Sequence, residues 1–219
     1  MNPDSLIQSI AMMAIPVLFA ITIHEAAHGY AARHFGDRTA EMLGRITLNP
    51  LKHIDPIGTI VIPLVIFLAT SGNFMFGYAK PVPINTRNLK NPRSDMVWIA
   101  LAGPVSNLVQ AVLWAIVLGL LFAAGMYERF FIGMAQMGVM VNLVLAVLNL
   151  LPLPPLDGGR VAVGLLPYKP AVMLSRLEPF GFLIVLGLLL VGVLERFWLS
   201  PLVGALAAVI LAPLHWLLG

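Results

Sequence analysis

The sequence predicts an all-α polytopic membrane protein, with about five to six transmembrane helices and a re-entrant hairpin bearing a short β-strand. Three observations carry this. First, 59% of the 219 residues are hydrophobic and only 11% are charged, with a mean hydropathy of +0.92. A soluble domain is nearer half apolar and a quarter charged, and a soluble fold of this length has too little interior to hide so much apolar surface. Second, the apolar residues gather in runs close to the ~20 that a helix needs to cross a bilayer. Third, 19 glycines and 17 prolines point to broken or re-entrant segments among the straight helices. The chain reads as a single membrane-embedded domain, 1–219, with a core of about 1–165 and additional helices over about 166–219.

The elements follow in order. The first apolar run spans about Leu6–Ala32. It lacks the positive start of a secretory signal, since Asp4 precedes it, and it carries His24, Glu25 and His28 near its end, so it reads as a retained helix. After the polar stretch Arg33–Pro56, Ile57–Thr70 is apolar but short, with Pro63 inside it. Phe74–Asn85 combines aromatic and β-branched residues with Pro81 and Pro83, which favours extended chain over helix. Beyond the polar loop Thr86–Asp95, helices fit Met96–Ala124 and Arg129–Leu151. The Pro-rich break Leu151–Gly159 ends the second of these, and a short helix begins at Asp157, whose carboxylate suits a helix N-terminus. Two further spans fit Phe180–Leu194, which is short and can begin near Glu178, and Pro201–Leu218.

Charge and cysteine content narrow the chemistry. The chain has no cysteine, which removes disulfides, thiolate metal sites and cysteine nucleophiles. A net charge of +3 is a small excess of the kind that loop Lys and Arg supply for topology, and it indicates no nucleic-acid partner.

The strongest pattern is His24-Glu25-Ala26-Ala27-His28, of the form H-E-x-x-H. Positions i and i+4 share one helix face, so both imidazoles can bind one Zn²⁺ while Glu25 sits beside the open position. Each ionisable side chain at mid-membrane costs roughly 2.5–3.5 kcal/mol, and a metal compensates three of them within five positions; solvated residues at a frayed helix end are the plainer alternative. A hydrolytic zinc takes three protein ligands and a water. Without cysteine the third ligand is His, Asp or Glu, and Asp157, turned inward by the Leu151–Gly159 break, is the best candidate. Taken alone, Asp157 reads first as the N-cap of the next helix; beside H-E-x-x-H it reads as the ligand.

H-E-x-x-H in a first membrane helix, followed late in the chain by N-x-x-P-x-x-x-x-D-G over Asn149–Gly158, resembles the site-2 proteases, intramembrane zinc metallopeptidases of the M50 class. Gly103-Pro104-Val105-Ser106-Asn107 and Gly77-Tyr78-Ala79-Lys80 add to the likeness. The segments GRITLNPLKHIDPIGT and KPVPINTRNLKNPRSD resemble the compact bacterial and archaeal branch, without PDZ or CBS domains. The resemblance implies that His24, His28 and Asp157 bind one zinc ion, that Glu25 is the catalytic acid/base, and that Asn149 holds the substrate backbone or the oxyanion, with Asn107 in a similar role. A packing hydrogen bond is the alternative for Asn149. The implied activity is hydrolysis of peptide bonds within or near transmembrane segments, in signalling or in clearance of signal-peptide remnants. The implied partners are a transmembrane protein or peptide substrate and the lipid bilayer, with no oligomeric state assigned. Intramembrane His and Asp equally fit a metal-ion transporter, or a non-catalytic scaffold with a structural zinc.

A shared metal also constrains topology. If every apolar segment crosses the membrane, Asp157 lands on the face opposite His24 and His28. The repair is that Ile57–Asn85 enters and returns to the same side, as a short helix followed by an extended strand. Eleven cations (Arg33, Arg38, Arg45, Lys52, Lys80, Arg87, Lys90, Arg93, Arg160, Lys169 and Arg176) then share one side, and Arg129 and Arg196 take the other. The positive-inside rule makes the crowded side cytoplasmic, with the candidate site near it, and the resemblance to the bacterial and archaeal branch implies the cell membrane of a prokaryote. An edge near Tyr78–Ile84, with Tyr78, Pro81 and Val82 as candidate contacts, suits β-addition of an unwound substrate; a plug over the site is the alternative. His34 reads as interfacial and His53 as a solvated loop residue.

Overall fold

The computed structural model describes residues 3–69, 77 and 79–218. Its helices are α1 (Pro3–His34), α2 (Thr39–Met42), α3 (Ile62–Ala69), α4 (Pro92–Ala123), α5 (Arg129–Asn149), α6 (Asp157–Leu165), α7 (Tyr168–Ser175), α8 (Glu178–Leu190) and α9 (Ser200–Leu218). A wide helical turn, Pro56–Val61, leads into α3, and another, Glu195–Leu199, leads into α9.

Small residues let the long helices approach. Ala20 and Ala32 of α1, Ala111 of α4, and Ala135 and Ala146 of α5 are fully buried, the side chains expected where backbones pack closely in a bilayer. Helices α1, α4 and α5 pack on one another, with α4 antiparallel to the other two. Ala32 packs with Ile99, while Asn107 reaches the carbonyl of Ala20 at 3.2 Å and the side chain of Asn142 at 2.8 Å. The C-terminal ends of α1 and α5 therefore lie beside the start of α4. The main core, with Leu118, Val139, Leu143, Val185 and Val203 among its buried members, joins α4, α5, α8 and α9. Leu113, Leu120, Leu183 and Leu190 point outward, as lipid-facing positions do.

Among the described residues, four helical stretches are long and apolar enough to cross a membrane: Ala11–His34, Pro92–Ala123, Arg129–Asn149 and Glu195–Leu214. A fifth arises if α7 and α8, bent by 67° at their junction, form one broken span. Against the expected five to six spans the described residues give four, or five with the bent pair; Pro56–Ala69 is not among them, being too short to cross straight.

The expected strand differs more. Residues 74–76 and Tyr78 lie outside the described residues, and among the described residues no strand forms. Residues 79–85 run without a ladder because Pro81 and Pro83 lack N–H donors and because side chains take several of the other backbone groups. Arg45 donates to the carbonyls of Lys80 (2.8 Å) and Pro81 (3.4 Å), Glu25 accepts from Val82 N–H (2.8 Å), and Asp37 accepts from Asn85 N–H (2.7 Å). Lys80 N–H donates to the His53 carbonyl at 2.9 Å. His53, expected to be solvated, is buried, and its Nε2 lies 3.0 Å from the Thr47 carbonyl. The loop after α1 folds over the 79–88 segment and takes His53 out of water.

Candidate metal centre

His24 and His28 occupy successive turns of α1 and face α4. Their Nδ1 atoms lie 2.6 Å from Asn107 Oδ1 and 2.7 Å from the Ile99 carbonyl. Both partners are acceptors, so each imidazole carries its proton on Nδ1 and leaves a lone pair on Nε2. The two Nε2 atoms are 3.1 Å apart and lie 3.2 Å (His24) and 3.3 Å (His28) from Asp157 Oδ2. That carboxylate oxygen is buried with no hydrogen-bond partner.

Three acceptor atoms pointing at one spot repel one another unless a cation lies between them. Two donors each about 2.0–2.1 Å from a tetrahedral zinc are separated by about 3.3 Å, which the observed spacings match. The residues present therefore fit a zinc ion held by two imidazoles and one carboxylate.

Local structure explains how each ligand arrives. Gly103 gives the imidazoles their room: a Cβ there would lie 2.6 Å from Cε1 of both His24 and His28. Asp157 opens α6 after a break folded tightly on itself, where a Cβ on Gly158 would lie 2.6 Å from the Leu151 carbonyl oxygen. Asn107 is fully buried, and its amide also reaches Ala20 and Asn142. Asn142 in turn donates to the Gly138 carbonyl at 2.9 Å. Hydrogen bonds thus run from the His24 ring through two buried amides into the backbone of α5.

The family model of peptidase family M50 matches residues 12–138 and, overlapping, 124–191, a span that contains all of these residues. The chain belongs to peptidase family M50. It is 41% identical over 198 residues to a Bacillus subtilis protein named "Putative zinc metalloprotease YwhC", covering 88% of this chain and 86% of that one. It is 35% identical to "Putative zinc metalloprotease Rip2" of Mycolicibacterium smegmatis (85% and 69% covered) and 30% identical to the protein of the same name in Mycobacterium tuberculosis (85% and 72% covered). No solved structure matches the chain.

Within this M50 chain the other expected residues fall as follows. Glu25 is half-buried next to the ligand pair, with Oε2 on Val82 N–H. Val82 is buried and Pro81 exposed, and both line a cavity of about 780 Å³. Asn149 ends α5 and donates to the Leu145 carbonyl of its own helix at 3.0 Å. Tyr78 lies outside the described residues. Sequence reasoning placed Asn107 with the substrate, whereas its amide is spent on His24 and two neighbours. It gave no role to Gly103, Ile99 or Asn142. The G-P-V-S-N motif carried Gly103 and Asn107 in plain view, but nothing local to it points across to α1.

Proposed function

We propose that this protein is an intramembrane zinc metalloendopeptidase that hydrolyses peptide bonds within or near transmembrane segments of other proteins. The observation that carries this is the convergence of His24 Nε2, His28 Nε2 and Asp157 Oδ2 within a helix bundle, beside Glu25 on the same helix as the imidazoles. Three protein donors rather than four, among the described residues, suit a hydrolytic site over a purely structural one.

A zinc ion held by these three residues supplies a Lewis acid for the scissile carbonyl and lowers the pKa of a water in the site. Glu25 accepts a proton from the attacking water and returns it to the leaving amine. Asn107 and the Ile99 carbonyl fix the tautomers of His24 and His28 so that both Nε2 atoms stay unprotonated. Asn149 contributes its amide to the substrate carbonyl.

The segment 79–85 serves the substrate as an extended edge. Its groups toward α1 and the following loop are occupied by Glu25, Arg45 and Asp37, and residues 81–84 line the 780 Å³ cavity. The hydrogen bond from Val82 N–H aims the Glu25 carboxylate at this boundary. Ile57–Asn85 is read as re-entrant, supported by Asp37 joining the end of α1 to Asn85 and Asn88. The active site then lies toward the cytoplasmic face of a prokaryotic cell membrane, and the domain is single, with its catalytic core over about 1–165. The biological task is signalling proteolysis or clearance of signal-peptide remnants.

The decisive experiment is zinc-dependent cleavage of a transmembrane substrate library by purified protein in lipid. Glu25→Gln is expected to keep zinc while lowering cleavage about 10²–10⁴-fold. Zinc flux into liposomes without cleavage would instead identify a transporter, and a Glu25→Gln variant that still cleaves would sink the assignment of the base.

A further inference from the structure

Arg160 lies one turn after Asp157 on α6, so the two side chains project from neighbouring positions on one face. Asp157 turns to the imidazoles, while Arg160 lines the 780 Å³ cavity together with Pro81, Val82 and Pro83. The cavity adjoins the metal centre through two wall residues: Val82, whose N–H holds Glu25, and Pro154, three residues before Asp157.

Arg160 is half-buried, and among the described residues its guanidinium has neither an ion pair nor a hydrogen bond. Its neighbour in the wall, Arg93, differs: Nε holds the Gly164 carbonyl at 2.9 Å and a terminal nitrogen holds that of Leu166, which ties α4 to the end of α6. Glu178 lines the same cavity, yet it is exposed and makes no ion pair with Arg160 among the described residues. Five donors on a planar cation face the cavity, where water satisfies them until a ligand with matching acceptors displaces it. A carboxylate is the ligand that satisfies them, because its two oxygens match the guanidinium fork.

We propose that Arg160 selects substrates by binding an acidic side chain of the peptide, seated in this cavity while a nearby bond lies at the metal centre. The proposal rests on the peptidase reading above, and its test keeps the two apart. Binding is measured with full-length Glu25→Gln protein, zinc-loaded and in lipid nanodiscs, so that no turnover intervenes. The probe is a fluorescent Leu/Ala transmembrane peptide with a central Gly-Gly break and an amidated C-terminus, so that side-chain carboxylates are the only ones present. A single Glu is moved through the positions flanking the break, each matched by a Gln peptide.

At one or two adjacent positions Glu should bind about ten-fold more tightly than Gln, the gain expected of a charge-assisted bidentate pair. Arg160→Gln should remove that difference, and Arg160→Glu should transfer the preference to Lys at the same position. Equal binding of Glu and Gln peptides at every position overturns the proposal, and so does a preference that survives Arg160→Gln. The first comparison needs no change at Arg160, so a misfolded variant cannot conceal the answer. Zinc-dependent cleavage of the same peptides by unmodified protein is scored separately. A Glu preference in binding with no cleavage supports Arg160 and counts against the peptidase reading; cleavage with no Glu preference does the reverse.

Discussion

Gly103 sets the tightest tolerance in the centre, since any side chain there enters the space of both imidazoles. Gly103→Ala should leave the helix intact, because alanine is the better helix former by about 1 kcal/mol, yet displace His24 and His28. We expect zinc affinity to fall at least ten-fold with unchanged helical circular dichroism; zinc content after dialysis measures it. Asn107 acts one step further out. Asn107→Ala removes the acceptor from His24 Nδ1, and the loss of such an outer partner costs about 10–100-fold in metal affinity. Asn107→Asp keeps an acceptor at that place and should recover part of the loss, which an effect on packing alone would not reproduce. These residues also mark where sequence reading stops. The pairing of His24 with His28 follows from helical period, and the Pro/Gly-rich break made Asp157 a candidate. The bond from Asn107 to His24 spans 83 positions, and no local pattern encodes which face of α4 meets α1.

The 79–88 segment is held by side chains, and Asp37 is its main clasp. Fully buried just after α1, its carboxylate accepts from Thr39 N–H and hydroxyl, from Asn85 N–H and from the Asn88 amide. Burial opposes ionisation here, but the bonds from Thr39, Asn88 and Asn85 prevail and hold the carboxyl below its usual value. A carboxyl lowered in the folded state stabilises it fully above the unfolded value of about 3.9. That contribution fades as pH falls through the folded value, where both states are protonated. Thermal melting in detergent should therefore show a loss of stability beginning near pH 4 on acidification. Asp37→Ala should flatten that dependence and cost about 1–3 kcal/mol at neutral pH, from unpaired donors of Asn85 and Thr39. The extended character of this stretch was legible in Pro81 and Pro83. Its lack of ladder pairing was not, because Arg45, Glu25 and Asp37 reach it from 35, 57 and 48 positions away.

At the scale of the whole molecule, the metal centre and the charge distribution are separate arguments for one topology. The centre requires α1 and α5 to end together, and the Asp37 bonds bring Asn85 and Asn88 back to where α1 stops. With that return, eleven of the 13 Lys and Arg share a side; without it, Arg87 and Lys169 move across from Lys52 and the bias disappears. The absence of cysteine makes the test clean, since each introduced thiol is the only one. Lys52, Arg87, Tyr127, Lys169 and Arg196 are all exposed, so Lys52→Cys, Arg87→Cys, Tyr127→Cys, Lys169→Cys and Arg196→Cys should fold and label. A membrane-impermeant maleimide on intact cells should modify the cysteines at 127 and 196, and reach those at 52, 87 and 169 only after the cells are opened. Arg87 is the position that decides. If Pro56–Ala69 crosses the bilayer, the cysteine at 87 must label opposite to the one at 52. Asp157 would then sit a membrane's thickness from His24 and His28, and no single ion could bind all three. Labelling of 52 and 87 from one side is thus a condition of the metal centre itself, and it can be measured without adding zinc or finding a substrate.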